Sequence, residues 1–236
     1  MNNQTVLAKL KQRLDKLDSE DYGNIETWML VEAFNKGQMQ RIRKDLEGIN
    51  QTRTGAEGST RRIDDLQFIL QTVPISNSSL IDNTIYWSFS LPTDYFQWCR
   101  VSAYAVTKCC PPIALRAIFE SIEADLDMNL NDAGKRPNYY WLTTFATVSN
   151  KQVKIYTNDE FDVSNVTLTY YRYPNNILVA GVMDVYTGTI PSVDVTCEAT
   201  DQYVELIIDE AVSIISGDLK DYQRQQDINQ ANERNN

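Results

Sequence analysis

The hydrophobic period of this chain changes twice, and those two changes limit the fold more than any motif does. Up to Pro74 apolar residues recur every three or four positions, the spacing of helix faces. From Ile85 to Tyr173 they tend to alternate, as in half-buried strands. After Thr200 the helical spacing returns. Helix, then strand, then helix predicts an α+β fold. The N-terminal helices and the C-terminal helix form an α-bundle, and a β-rich, sandwich-like domain is inserted between them. The boundaries read from the pattern are 1–74 and 199–222 for the bundle, 75–198 for the β-rich domain, and 223–236 for a flexible C-terminal tail with almost nothing to bury.

A first helix runs from Thr5 to Leu17 on a stripe of Leu7, Leu10, Leu14 and Leu17. Its cations, Lys9, Lys11, Arg13 and Lys16, read as a solvated face rather than a phosphate site. A long helix follows from Ser19 to Ile49. Ser19 caps it, Glu20 and Asp21 suit the positive end of its dipole, and Gly48 stops it. Between Ile25 and Phe34 apolar residues surround most of this helix, so burial on more than one side is expected, in a bundle or against a neighbouring subunit. After Gly37 one stripe remains (Met39, Ile42, Leu46, Ile49), with Arg41, Arg43, Lys44 and Asp45 on a polar back. Asn35 lies within the apolar stripe. It either hydrogen-bonds across an interface and fixes register, or bends and lightly solvates the helix; both readings stay open. A third helix is expected from Thr60 to Thr72, ended by Pro74. The last, Asp201 to about Tyr222, is capped by Thr200 and apolar over much of its circumference.

In the middle of the chain, Ile85–Leu91 alternates. So does Phe96–Val106, with Phe96, Trp98, Tyr104 and Val106 on one face and Cys99, Val101, Ala103 and Ala105 on the other. Pro111–Pro112 interrupts the pattern, and Ala114–Ile122 fits helix or strand. Asp125–Leu130 is read as one helical turn. Tyr139–Val148 and Gln152–Tyr156 form a hairpin around Ser149–Asn150. Val166–Tyr173 is the strongest β segment.

Chemistry is sparse. The chain has 236 residues and no histidine, which removes the commonest general base and metal ligand. No phosphate-binding glycine loop, dinucleotide fingerprint or nucleophile elbow is present. The carboxylates Glu120, Glu123, Asp125 and Asp127 offer an acid/base pair, but in so acidic a chain they read first as a solvated face. Asp125–Asp132 has part of a calcium loop without its central glycine or closing glutamate. Tyr139, Tyr140, Trp141, Tyr170, Tyr171 and Tyr173 are suited to stacking on sugars or bases, though strands recruit aromatics anyway. Cys99, Cys109, Cys110 and Cys197 fit neither a disulfide framework nor a zinc site and read as small buried thiols. No catalytic, cofactor-binding or metal-binding residue is therefore assigned. No apolar run is long enough to span a membrane and no signal peptide is apparent, so neither insertion nor secretion is expected. The net charge is -10. Met1–Arg62 carries 11 Lys/Arg against 9 Asp/Glu and the remainder 11 against 23, so a mildly basic head (+2) precedes an acidic body (-12). A basic wrap around nucleic acid is not expected.

Several blocks occur in a recognisable order: DYGNIETWMLVEAFNKGQ and RRIDDLQFIL, then LPTDYFQWCRVSAY, DLDMNLNDAGKRPNYYW and VTLTYYRYP. Together they make the chain, up to about residue 220, similar to a structural protein family of crAss-like phages, the head-to-tail connector components beneath the portal. Before Pro137 the chain departs from that pattern, with Ala133–Gly134 where an aromatic is expected. The resemblance implies a ring of identical copies, twelve to match a dodecameric portal. It further implies contacts with the portal and other neck rings, genomic DNA passing through the lumen, residence in the virion after assembly in the host bacterial cytoplasm, and no catalytic residue. An acidic wall would let DNA slide, since basic walls hold phosphates by counterion release. A competing reading makes the β-rich insertion a glycan-binding or cell-wall-degrading module that depends on Glu120 or Glu123.

Overall fold

A computed structural model of the chain describes residues 1–15, 25–47, 65–75, 78–81, 85–108 and 110–218. Its four described helices are α1 (Asn3–Asp15), α2 (Thr27–Glu47), α3 (Leu126–Asn131) and α4 (Asp201–Asp218). The fold is α+β and divides into two compact units. One holds the described residues of Met1–Phe68 and Pro174–Asn236, the other Ile69–Tyr173.

In the helical unit α1 buries Val6, Leu10 and Leu14. Lys9 and Arg13 are not a solvated face: both pair with Glu205 of α4, and Arg13 also with Asp209. Lys16 lies outside the described residues. Helix α2 starts at Thr27 rather than Ser19, because the Glu26 carbonyl accepts the Met29 amide at 3.0 Å and Ile25 stays outside the helix. Ser19, Glu20, Asp21 and Gly48 lie outside the described residues.

Gly37 does not break α2. A Cβ there would stand 2.9 Å from the Ala211 nitrogen and 3.1 Å from the Ile207 carbonyl oxygen, so the missing side chain lets α2 and α4 approach backbone to backbone. The surplus apolar surface expected to need a neighbouring subunit is largely covered within this unit. Phe34, Leu30 and Ile42 are fully buried, as are Val204, Ile207, Ile208 and Ala211 of α4.

The polar back is also only partly polar. Arg41 and Asp45 are buried; Arg41 Nε donates to Asp45 Oδ2 at 3.2 Å, and Tyr203 OH donates to the same oxygen at 2.7 Å. Burial and the Asp45 charge push the Tyr203 hydroxyl far above its usual range. Lys44 reaches Glu210 at 2.7 Å, while Arg43 stays exposed.

The stretch after Pro174, grouped by sequence with the strands, belongs to this helical unit. Asn3 Nδ2 donates to the carbonyls of Leu178 (2.7 Å) and Val195 (3.1 Å), which face each other in an isolated bridge. Asn35 closes a reciprocal pair with Ile177. Its amide oxygen accepts the Ile177 N–H at 2.9 Å, and its Nδ2 donates to the Ile177 carbonyl at 3.3 Å. Asn35 thus finds its hydrogen-bond partner inside its own helical unit.

The β unit holds two sheets. The first has the order β1 (Leu70–Pro74), β9 (Asp162–Arg172), β4 (Tyr95–Thr107), β5 (Cys110–Ala114), all antiparallel. The second runs β2 (Ser78–Ile81), β3 (Tyr86–Ser90), β8 (Gln152–Tyr156), β7 (Thr143–Ser149), β6 (Ala117–Ser121), with β6 parallel to β7. Their inner faces share one core, with Val101, Ala103, Ala105, Val163 and Leu168 from the first and Phe89, Ala146, Val153 and Ile155 from the second.

The expected third helix is corrected at its end. Residues 60–64 lie outside the described residues, and a 3-10 turn at Gln67–Ile69 leads into strand β1, whose Leu70 pairs with Tyr171. Pro74 is tolerated there because β1 is an edge strand, where a missing amide costs no ladder bond. Pro111 and Pro112 sit inside edge strand β5 instead of interrupting it, at a bulge where the two of them oppose Val106 of β4 and ladder pairing is broken. Ala114–Ile122 resolves into the end of β5 and all of β6.

Simple alternation fails along β4. Phe96 and Cys99 are extra residues relative to β9, and β9 carries one extra residue opposite Ala103, where Asn165 takes φ 48°. These bulges turn Trp98 to the same core as Val101, although three positions separate them, and leave Cys99 exposed. The β7–β8 hairpin turns on Asn150 and Lys151, both at positive φ (51° and 59°), as a two-residue hairpin loop requires. Strand β7 begins at Thr143, not Tyr139.

Candidate functional site

The second sheet has a polar and aromatic outer face, and the segment Glu123–Asn131 lies against it. Phe145 of β7 stacks on Tyr156 of β8, ring centroids 4.7 Å apart, and Tyr86 of β3 tilts against Tyr156 at 5.4 Å. Lys154 Nζ lies 5.3 Å from the Tyr86 ring centroid. Glu123 accepts from Lys154 Nζ at 2.8 Å and from Thr147 Oγ1 at 3.1 Å, which ties the turn before α3 to the sheet. Within α3, Asn129 is buried and donates to Ser121 Oγ at 2.6 Å.

Between edge strand β6 and α3 a cleft of about 630 Å³ opens, lined by Phe119, Ser121, Ile122, Met128, Asn129 and Phe145, with Asp125 and Lys135 among its polar lining. Phe119, Ile122 and Met128 are each more than half exposed. Its size is that of small-ligand sites, and its chemistry suits an apolar group flanked by a few polar atoms.

Of the four carboxylates, Glu120 and Asp125 line this cleft, whereas Glu123 is held on the sheet by Lys154 and Thr147. Glu120 pairs in register with Ala146 of the core, and its charge reaches Tyr95 on the facing sheet. Burial raises its carboxyl. Glu123 is anchored on the outer face, where its hydrogen bond from Lys154 holds its carboxyl below the usual range. The two environments pull in opposite directions. Asp125 borders the cleft, and Asp127 is exposed in the first turn of α3. Among the described residues, no group of three or more His, Cys, Asp or Glu side chains converges on a metal position. Asp125–Asp132 forms the α3 helix and its ends instead of a cation loop.

The six aromatics separate. Tyr170 and Tyr171 are buried in the strands; burial and the Asp94 bond at 2.8 Å push the Tyr170 hydroxyl up to about 12. Tyr139 packs against Phe161 and Tyr173 against Phe96. Tyr140 (85% exposed) and Trp141 (62%) stand edge to face, centroids 5.5 Å apart, on the turn before β7. The cysteines are not uniformly buried: Cys197 is, Cys99 and Cys110 are exposed, and Cys109 lies outside the described residues. No described helix is long and apolar enough to cross a membrane.

A surface that sequence reading missed lies in the helical unit, on residues 180–193. This arm is closed by its own hydrogen bonds. Gly181 N donates to the Pro191 carbonyl (3.1 Å), Asp184 N to the Thr189 carbonyl (2.9 Å), and Gly188 N to the Asp184 carbonyl (2.8 Å). The Asp184 carboxylate accepts from Tyr186 N and Thr187 Oγ1. Its apolar side chains face outward: Ile190 is 67% and Val193 71% exposed, with Met183, Val185 and Tyr186 also exposed. The signal was present as apolar residues scattered among Gly and Pro, without the period that marks a buried face.

Comparison with known protein families and with curated proteins returns no match to this chain.

Proposed function

We propose that the chain is a non-enzymatic virion structural protein, a subunit of the head-to-tail connector ring beneath the portal of a short-tailed crAss-like phage. The observation that carries this reading is the arm: a segment that satisfies its own backbone and turns its apolar side chains to solvent. Isolated exposed apolar residues are ordinary, but a prefolded group of five marks an interaction surface. The ordered sequence blocks and the acidic body of the chain support the connector reading. Copies close into a ring by heterologous contacts, one patch meeting a different patch on the next copy. The portal and neighbouring neck rings are its other partners, and DNA passes the lumen without specific binding. Co-expression with the portal tests this: negative-stain images should show rings, and a chain that stays monomeric with its portal present refutes it.

The exposed Tyr140–Trp141 pair favours a second reading, a glycan-binding module of the virion, since aromatic faces stack on sugar rings. Titration with peptidoglycan fragments and surface polysaccharides decides it. Quenching of tryptophan fluorescence that Trp141→Ala abolishes would support it, and no quenching would remove it.

A further inference from the structure

We infer that the arm docks on a second copy of this chain, in the groove between the first half of α2 and the end of α4; the inference deepens the ring reading and rests on it. The groove is lined by Ile25, Trp28, Met29, Ala33, Ile214 and Ile215, with Glu32 and Lys36 at its edge, and encloses about 140 Å³, room for a branched aliphatic side chain. Met29 is 43% exposed although it sits in the most apolar turn of α2.

Three observations point to the arm of another copy as the occupant. First, the arm is folded by its own bonds, so docking it orders little chain and costs little entropy. Second, the charges are complementary. Residues 175–197 contain Asp184 and Asp194 and no Lys or Arg. Along α2, the heptad positions Met29, Lys36 and Arg43 are all exposed; Lys36 pairs with Glu32 at 3.1 Å, which leaves the groove edge neutral, and Arg43 adds a cation one heptad further on. The cleft beside β6 is a poorer host, because Glu120 and Asp125 in its lining would face the arm's carboxylates. Third, arm and groove are different surfaces on one chain, the arrangement that lets head-to-tail contacts repeat around a ring. The chain's own tail fits less well, since Gln223–Asn236 offers Ile228 as its single aliphatic side chain larger than alanine.

Disulfide trapping in the full-length chain tests this. In a Cys99→Ser, Cys109→Ser, Cys110→Ser background, Val193→Cys and Met29→Cys proteins are oxidised separately and as an equimolar mixture, with and without portal. Cys197 stays in place and is buried, so the readout is the covalent dimer on a non-reducing gel, which only a disulfide joining two copies gives. The mixed dimer should form at several times the level of either protein alone. Ile190→Asp should weaken self-association by about tenfold or more, whereas Phe119→Asp leaves it unchanged. Rings that form without the mixed disulfide overturn the arm assignment and leave the connector reading standing. A mixed disulfide in protein that never binds portal supports the arm assignment and counts against the connector reading. No assembly and no mixed disulfide under either condition overturns the arm assignment.

Discussion

Asn35→Leu separates two accounts of the long helix. If a polar residue in an apolar stripe serves an interface between copies, its replacement by Leu leaves the isolated subunit as stable or more so. The hydrogen bonds predict the opposite. Asn35 is 5% exposed and holds both the N–H and the carbonyl of Ile177, 142 residues away, itself fully buried. Leu orphans both backbone groups, at about 1–3 kcal/mol each. Burying the larger apolar side chain returns about 1–2 kcal/mol. The net expectation is a loss of about 2–3 kcal/mol. With a urea dependence of about 1.5–2 kcal/mol/M, the midpoint should fall by about 1–2 M. The helical circular dichroism band follows this unit, which holds α1, α2 and α4, and Trp28 is its only tryptophan. The Trp87 and Trp98 environment in the β unit provides the comparison transition. A midpoint for the helical unit that is unchanged or higher would refute the reasoning and return Asn35 to the interface account.

Gly37→Ala should destabilise the helical unit by up to about 2 kcal/mol in the same urea assay. The gain in helix propensity, about 1 kcal/mol, is outweighed by overpacking of about 1–3 kcal/mol against backbone atoms that cannot rotate away. Glu123 predicts an acid limb for the β unit. Its folded carboxyl lies below the unfolded value of about 4.3, so its contribution is complete above that pH and is lost as pH falls through the folded value. Glu123→Gln should flatten that limb without changing stability's pH dependence near neutrality, and an unchanged limb would mean the Lys154 contact adds nothing. Removing 223–236, whose composition offers little to bury, should leave thermal unfolding unaltered while weakening portal binding in pull-down; loss of the fold would place part of the core in that tail.

Period and punctuation in the sequence were enough to determine the class of the fold. Apolar spacing of three and four marks α1, α2 and α4, alternation marks β3 and β9, and Ser149–Asn150 marks the β7–β8 turn, because each signal is local to its own element. The tertiary structure decided what depends on distant partners. Leu70–Pro74 is a strand because β9 is there to pair with it. Trp98 faces inward because β4 carries extra residues relative to β9. Arg41 and Asp45 are buried because Tyr203 brings them a third partner from α4. The exposed arm followed no local rule at all. A side chain's surroundings are set by residues far along the chain, and periodicity, which samples only near neighbours, carries no record of them.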